Sequence, residues 1–278
     1  MSQPTSRKRV VITVPLSRSS NLKPDEEISL RHLRHFLGAY DKVLVVPKSL
    51  DLPYFPDFQV KQFGDQYFGS VSAYNSLMLS REFYRAFGDY EFMLHYHLDA
   101  LVFSDQLLQW CDAGWDYIAP PWVHCKEAEW VREPFVGNGG FSLRRIDAFL
   151  RVLKSRRLAV DPDKDWEHYI LPRSKVRRLL GRPRRILRHY WPFNGVHTEI
   201  RSYLEQNQNE DLFWAHNAVK YYPNFKMAPV EEGMRFAFEL VPGRLFEMNS
   251  RKLPFGCHAF GRYDRAFWEP YLLKEAKR

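Results

Sequence analysis

Residues 90–106, YEFMLHYHLDALVFSDQ, decide the predicted fold. The stretch opens with the apolar run Phe-Met-Leu and returns to an apolar run in Leu-Val-Phe. Such runs are typical of strands in a parallel sheet, because helices cover both of its faces. Between them, His95, His97 and Asp99 recur at every second position, which on a strand places the three side chains on one face. We therefore expect a central strand with polar side chains toward its carboxyl end.

Two interpretations of these polar side chains are open from the spacing alone. Polar groups in a buried strand cost free energy unless they are paired or bound to a ligand. Ligands of open α/β sheets bind beyond the carboxyl ends of the strands, so residues 97–99 would help to hold a cation against a phosphorylated donor. The alternative is an ordinary strand end at which Asp99 caps the next helix.

The rest of the first half of the chain alternates between predicted strands and predicted helices. Strands are predicted at 10–16, 42–46, 58–63 and 115–119, and helices at 24–37, 67–87 and 105–111. We expect the first helix to end at Gly38 and the second to break at Ser80 or Gly88. This alternation predicts an α/β fold with a mostly parallel sheet flanked by helices on both faces.

Composition indicates a globular protein that can bury a full core. The chain has 278 residues, of which 45% are hydrophobic and 16% are aromatic. No apolar run is long enough to span a bilayer, and the first residues lack the apolar core of a signal peptide. Three widely spaced cysteines, Cys111, Cys125 and Cys257, fit neither a disulfide framework nor a structural zinc site. These features predict a cytoplasmic protein.

The charge is basic and unevenly distributed. A net charge of +8 favours anionic partners, such as nucleotide phosphates, anionic lipids or nucleic acid. Residues 173–188 carry eight Lys and Arg and no acid, and we expect Gly181 and Pro183 to divide them into two short helical pieces. The segment is either a surface for a membrane or a mobile, solvated connector. No nucleic-acid-binding module is recognisable, so a nucleic-acid partner is not expected.

Three further stretches have residue types suited to chemistry. In residues 137–144, GNGGFSLR, the glycines allow a close approach to a ligand and a positive φ, although an ordinary tight turn is the alternative. Glu210 and Asp211 precede an apolar helical run, where a carboxylate is either a general base or merely favoured by the helix dipole. In residues 254–260, PFGCHAF, His258 is either a metal ligand or a structural side chain.

Taken in this order, the stretches resemble those of GT-A-type nucleotide-sugar glycosyltransferases. More closely, the chain looks like a bacterial and fungal glycosyltransferase family with YxLDAxVF, GNGGFSLR, EDxFW and PFGCHAF motifs, and with a strand-Pro-Leu start before an SLRHL helix. The resemblance covers residues 10–268 and is weakest across 150–205. It implies one GT-A-like domain at 10–270, and the basic residues 1–9 before it are expected to be a disordered tail. Residues 10–145 would then bind the nucleotide sugar, and residues 146–270 would face the acceptor.

The resemblance also implies a metal site and a donor site. Residues 97–99 occupy the place of an Asp-x-Asp motif whose first acid is His97 here. A divalent metal, Mn²⁺ or Mg²⁺, would be held by His97, Asp99 and His258. A UDP-sugar is the implied donor, and the implied donor-binding residues are Val14, Pro15, Leu16, Asp99, Gly139 and Gly140. Arg144, Arg145 and Lys252 are candidate partners of its diphosphate.

The implied activity is that of a hexosyltransferase-like enzyme that moves a sugar to a hydroxyl of a glycan or glycolipid. Asp211, or Glu210, would be the base of an inverting reaction. The implied sugar and acceptor pocket consists of Asn138, Phe141, Trp122 and Trp214. Surface polysaccharide synthesis is the expected role, with peripheral contact to the inner membrane face through 173–188. The alternative, motivated by His97, is a non-catalytic nucleotide or glycan binder on the same fold.

Overall fold

The computed structural model describes residues 7–17, 22–51 and 55–274. The strands are β1 (Lys8–Pro15), β2 (Asp41–Pro47), β3 (Gln59–Phe63), β4 (Tyr90–Tyr96), β5 (Leu101–Val102), β6 (Tyr117–Ile118), β7 (Pro121–Trp122), β8 (Phe135–Val136), β9 (Phe141–Arg145), β10 (Ala237–Phe238) and β11 (Gly256–Cys257). The helices are α1 (Pro24–Leu37), α2 (Val71–Met78), α3 (Arg81–Ala86), α4 (Leu107–Asp112), α5 (Ile146–Leu153), α6 (Pro162–Asp165), α7 (Lys175–Arg188), α8 (Trp191–Asn194), α9 (Val196–Glu205), α10 (Glu210–Tyr221), α11 (Val230–Phe236), α12 (Pro242–Met248) and α13 (Arg265–Trp268).

A six-stranded sheet in the order β3-β2-β1-β4-β9-β6 forms the centre of the molecule. Strands β3, β2, β1 and β4 run parallel, whereas β9 runs antiparallel to both β4 and β6. Two smaller sheets, β10-β11-β5 and β7-β8, lie outside it. The predicted α/β class with a mostly parallel sheet is therefore confirmed.

Each face of the central sheet carries its own hydrophobic core. In β1, Val11 belongs to the core that contains α2, α3, α5 and α10. Ile12 and Val14 belong to the core on the other face, which contains α1 and α4. Because successive side chains of a strand point to opposite faces, an apolar run such as that of β1 supplies both cores.

The first strand corrects one prediction. It begins at Lys8, so the end of the segment expected to be a disordered tail is paired with β4 through the Lys8–Tyr90 register. Residues 1–6 of that predicted tail lie outside the described residues. The break predicted at Ser80 is present, because its hydroxyl accepts a hydrogen bond from the Phe83 amide at 3.1 Å and begins α3.

The basic segment corrects a second prediction. Residues 175–188 form one helix, α7, which continues through Gly181 and Pro183. A proline inside a helix removes one hydrogen bond and crowds the preceding turn, yet the chain remains helical on both sides of Pro183. A Cβ at Gly181 would lie 2.9 Å from the Trp166 ring, so the glycine allows α7 to pack closely there. Among the described residues, no helix combines the length and the apolar character needed to cross a bilayer.

The central strand ends earlier than its apolar pattern suggested. Strand β4 stops at Tyr96, so His95 lies on the strand while His97 and Asp99 lie in the loop that follows. Only His95 therefore lies on the strand, although its Nε2 atom is 3.2 Å from that of His97, and residues 97–99 lie at the strand end as expected. His95 is buried and bonds to Thr13 at 3.0 Å. The capping alternative for Asp99 is also wrong, because α4 begins eight residues later.

A buried ion pair connects β9 to α10. The Arg144 side chain is fully buried, and its guanidinium donates to Glu210 at 2.7 and 3.2 Å and to the Tyr84 hydroxyl at 2.9 Å. Two hydrogen bonds in parallel fix both distance and orientation. The first turn of α10 is therefore held against the sheet.

Replacing Glu210 by alanine should lower the free energy of unfolding by about 3–5 kcal/mol, because the Arg144 charge would remain buried without its partner. Urea titration followed by tryptophan fluorescence measures this change. The control is Glu247→Ala, which removes an exposed partner of Arg251 and should cost less than about 1 kcal/mol. Equal small losses in the two variants would contradict a structural role for the buried pair.

Candidate active site at the carboxyl end of the sheet

A cavity of about 910 Å³ opens beyond the carboxyl ends of β1 and β4. Its wall combines the loops after these strands, the glycine-rich turn before β9, the first turn of α10 and the segment that follows β11. The predicted site residues that line it are Pro15, Leu16, His97, Asp99, Trp122, Asn138, Gly139, Gly140, Glu210, Asp211 and His258. Residues that are far apart in the chain thus meet where ligands of open α/β sheets bind.

Three of these residues form a cluster suited to a metal ion. His97, Asp99 and His258 each offer one ligand atom, and these atoms lie within 4.8 Å of one another. The His258 Nε2 atom lies 3.2 Å from Asp99 Oδ1. Strand β11 pairs with β5 and the Phe260 amide donates to the Asp99 carbonyl at 3.1 Å, so the backbone itself brings the two segments together.

Glu239 contacts the cluster at the ring nitrogen of His258 that faces away from Asp99. Its carboxylate is buried and lies 3.3 Å from the other ring nitrogen of His258, Nδ1. In metal sites, a ligating histidine commonly passes its second N–H to a carboxylate, which fixes the ring orientation. Sequence reasoning missed Glu239, although an acid inside the apolar run FAFELV, residues 236–241, is the same kind of signal that identified His97.

The charges of the cluster shift the pKa of each member. Burial disfavours the charged His258, but Asp99 and Glu239 outweigh this effect and raise its pKa to about 10. Burial would raise the pKa of Asp99, yet the charge of His258 and its hydrogen bond lower it far below its usual range. Burial and the His258 charge lower the pKa of His97 to about 4. His97 is consequently neutral at pH 7 and retains a lone pair for a cation, whereas His258 is protonated in the metal-free cluster and would release its proton when a cation binds.

The residues fit a first-row divalent ion better than magnesium. Two imidazoles and one carboxylate are a nitrogen-rich donor set, whereas Mg²⁺ prefers oxygen ligands. Both ring nitrogens of His258 are buried without a well-aligned hydrogen bond, although carboxylates lie near them. Of the two metals that the resemblance implied, this donor set favours Mn²⁺.

The glycine-rich turn is needed for close packing. A Cβ at Gly140 would lie 1.9 Å from His258 Nε2, and a Cβ at Gly139 would lie 2.3 Å from Glu210 Oε1. Neither glycine has a positive φ, and Gly137 has none either, so the expectation of left-handed backbone is wrong. The glycines instead allow the turn to lie directly against the metal cluster and the buried ion pair.

Asp211 is the candidate general base of this cavity. Its side chain lines the cavity, and one oxygen accepts the Leu212 amide at 2.8 Å. Burial, together with the charges of Glu210 and Glu239, raises its pKa to about 7. A carboxylate with this pKa is poised to accept a proton near neutral pH. Glu210 is less suited, because Arg144 holds it.

Two predicted pocket residues and one predicted donor-binding residue lie in the hydrophobic cores instead. Trp214 is fully buried, and its ring centroid lies 4.2 Å from that of Phe149, so it offers no face to a sugar. Phe141 is fully buried against Phe236, with ring centroids 5.2 Å apart. Val14 is buried beneath α1 and does not line the cavity. None of the three lines the cavity, so the structure places each of them in a core and not in the candidate site.

The predicted basic partners of the diphosphate also lie elsewhere. Arg144 is buried with Glu210, and Arg145 pairs with Glu91 at 2.9 Å. Neither of these arginines lines the cavity, and Lys252 does not line it either. Among the described residues, the lysine and arginine on its wall are Lys23 and Arg262. Nothing in their local sequence separates them from other exposed basic residues, so only the fold identifies them.

The family of proteins of unknown function DUF5672 has a model that matches residues 57–258, and the chain therefore belongs to that family. No curated protein matches the chain.

Several solved structures match the chain in part. Apo-form GlyE, a glycosyltransferase of Streptococcus pneumoniae TIGR4, has a TM-score of 0.45 and 12% identity over 96% of this chain and 61% of GlyE. The mannosyltransferase PcManGT from Pyrobaculum calidifontis, in complex with GDP-Man and Mn²⁺, has a TM-score of 0.33 and 18% identity over 54% of this chain and 48% of its own. The bifunctional IspDF from Campylobacter jejuni has a TM-score of 0.31 and 11% identity over 53% of this chain and 43% of its own. The chain thus spans less than two thirds of each of these structures.

Asp211→Asn should stabilise the metal-free protein, and more at pH 8.5 than at pH 4. Because folding raises the pKa of Asp211 from 3.8 to about 7, the folded state binds its proton more tightly. Stability from this group is present at low pH and is lost as the pH rises through about 7. Thermal unfolding in EDTA at both pH values measures the change, with Glu247→Gln as an exposed control. An equal change at both pH values would contradict the raised pKa.

If the cluster binds Mn²⁺, Glu239→Gln should weaken that binding by about 10–100-fold, because the candidate ligand His258 would lose its charged partner. Isothermal titration of Mn²⁺ into the protein at pH 7.5 measures the affinity. Glu247→Gln removes a carboxylate outside the cavity and should leave the affinity unchanged. Unaltered Mn²⁺ affinity in Glu239→Gln would show that the carboxylate does not support the cluster.

Proposed function

We propose that the protein is a glycosyltransferase that moves a sugar from a nucleoside diphosphate to a hydroxyl group of a glycan or glycolipid. One observation carries the proposal. The cluster of His97, Asp99 and His258 lines the same cavity as Asp211, a carboxylate whose pKa is about 7. A cation site beside a general base is the combination that transfer from a sugar diphosphate requires.

The donor would bind with its diphosphate near the metal cluster. A divalent ion held by His97, Asp99 and His258 would neutralise the negative charge that develops on the leaving diphosphate. Lys23 and Arg262 line the same cavity and would add to this stabilisation. Pro15 and Leu16 form the end of the cavity at β1 and would border the nucleotide base, with UDP as the proposed nucleotide.

The proposed reaction is a single displacement with inversion. The acceptor hydroxyl oxygen attacks the anomeric carbon, and Asp211 takes the hydroxyl proton. The bond from the anomeric carbon to the diphosphate oxygen breaks, and its electron pair leaves with the diphosphate. The commitment of Glu210 to Arg144 favours Asp211 as the base. Asn138 and Trp122 line the cavity and are the proposed neighbours of the transferred sugar.

The wider assignments rest on the resemblance stated above. A GT-A-like arrangement, with residues 10–145 binding the donor and residues 146–270 facing the acceptor, is part of the proposal. The mostly parallel sheet with antiparallel β9 beside β4 is compatible with it. A cytoplasmic role in surface polysaccharide synthesis belongs to the same proposal.

A non-catalytic binder of nucleotides or glycans is the second candidate. It is favoured by His97, which stands where the resembling enzymes carry the first acid of Asp-x-Asp. The pKa of Asp211, raised to about 7, favours an enzyme instead, because strongly shifted pKa values are concentrated at catalytic sites.

Slow hydrolysis of the donor tests the proposed activity. Purified protein incubated with UDP- and GDP-sugars should release nucleoside diphosphate in Mn²⁺ and not in EDTA. The rate should rise with pH through about 7, because the base acts when ionised. Asp211→Asn should lower the rate at pH 8 by at least about 100-fold, and Asp99→Ala should remove the dependence on Mn²⁺.

Glu247→Gln, which lies outside the cavity, should retain the full rate. Donor binding without release of diphosphate, with or without a panel of glycan acceptors, would identify the binder instead. If neither a nucleotide sugar nor a glycan of the panel binds, both candidates fail.

A further inference from the structure

Exposed apolar side chains are concentrated in one part of the molecule. The described residues include fifteen exposed large hydrophobic side chains, and nine of them lie between residues 169 and 193. The nine are Tyr169, Leu171, Val176, Leu179, Leu180, Ile186, Leu187, Tyr190 and Phe193. Single exposed apolar residues are normal on protein surfaces, but a concentration of this kind marks an interaction surface.

Helix α7 packs on the body of the protein through its polar side. Arg185 bonds to Asp163 at 2.7 Å and lies over the Trp166 ring, Arg188 pairs with Asp165, and Gly181 contacts Trp166. At 100° per residue, these positions fall on one side of the helix. This side, which would face water in an ordinary amphipathic helix, is attached to the protein here.

The opposite side of α7 is apolar and faces solvent. Val176, Leu179, Leu180, Ile186 and Leu187 fall within an arc of about 120° that is centred opposite the packed side. Their exposed fractions range from 43% to 74%. An apolar stripe that points away from the core cannot be explained by the folding of this chain.

Basic side chains border this stripe along both edges. On the helical wheel, Lys175 and Arg182 lie beside one edge, and Arg177 and Arg184 lie beside the other. In the part of the chain that the structure describes, none of these four forms an ion pair, since Asp163 and Asp165 are taken by other arginines. These four basic residues, which form the two rims of the apolar stripe, are therefore free to attract anions.

The net charge of the whole chain comes from this helix and its two preceding residues. Residues 173–188 contain eight of the 41 Lys and Arg residues and none of the 33 Asp and Glu residues. The remainder of the chain consequently has as many acidic as basic residues. A local charge of this size draws the protein to an anionic surface with α7 in front.

We propose that α7 docks the protein on an anionic lipid surface, with the helix axis parallel to the membrane plane. The apolar stripe would enter the boundary between headgroups and acyl chains, and the rims would contact lipid phosphates. With 14 residues, α7 is about 21 Å long, which suits binding in the plane rather than spanning. Tyr190 and Phe193 follow it as exposed aromatics of the type enriched at membrane interfaces. This inference does not depend on the proposed reaction.

Vesicle co-sedimentation tests the proposal with the full chain. Vesicles of phosphatidylcholine with about 30% phosphatidylglycerol should bind the protein at least about tenfold more tightly than pure phosphatidylcholine. Arg177→Gln with Arg184→Gln should weaken binding about thirtyfold, because each basic residue near an anionic surface contributes about 1 kcal/mol. Leu179→Ser with Leu180→Ser should weaken it at least tenfold, since the stripe then no longer inserts.

The control is Val60→Ser with Met248→Ser, which removes two exposed apolar side chains outside α7 and should leave vesicle binding unchanged. Unchanged binding by the Leu179/Leu180 variant would overturn the proposal. So would tighter binding to single-stranded or duplex nucleic acid that is insensitive to that variant. A shift from dimer to monomer in the same variant by analytical ultracentrifugation would show that a second copy covers the stripe.

Discussion

The buried pair of Arg144 and Glu210 is the interaction on which the site depends. A guanidinium and a carboxylate removed from water cost several kcal/mol each, and only close, well-aligned partners offset this cost. Arg144 lies on the antiparallel strand β9, and Glu210 begins α10, so the pair holds a helix start against the edge of the cavity. Asp211 is the next residue, so the same ion pair holds it at the edge of the cavity. The negative charge of Glu210 also contributes to the raised pKa of Asp211.

A second constraint acts through backbone pairing rather than charge. Strand β5 begins two residues after Asp99, and β11 ends one residue before His258. Their antiparallel pairing, with β10 on the other side of β11, delivers Asp99, His258 and Glu239 to one place. The short sheet therefore has a specific consequence, because it assembles the cluster from segments that lie about 140–160 residues apart. The absence of Cβ atoms at Gly139 and Gly140 then lets the turn before β9 close over the cluster.

The sequence sufficed for the order of the elements and for the polar residues at strand ends. Apolar runs and period-two spacing are local signals, and they identified β4 and the loop with His97 and Asp99. The direction of a side chain at a motif is not local, because it depends on which face of a strand or helix the core occupies. Trp214 and Phe141 belong to motifs, yet both point into the core. Pro183 shows the same limit, since packing of α7 against Trp166 maintains a helix that local propensity would break.

The distribution of charge changes what the basic composition means. From composition alone, a net charge of +8 would suit nucleotide phosphates as well as a lipid surface. The structure separates these two kinds of partner. The cavity contains the carboxylates of Asp99, Asp211 and Glu239, whereas the excess of positive charge lies in residues 173–188. A phosphorylated ligand in the cavity would therefore need a bound cation, in addition to Lys23 and Arg262, to offset these acids. The proposed cation site and the proposed lipid-binding helix would thus meet different electrostatic needs, and the overall charge of the chain bears only on the helix.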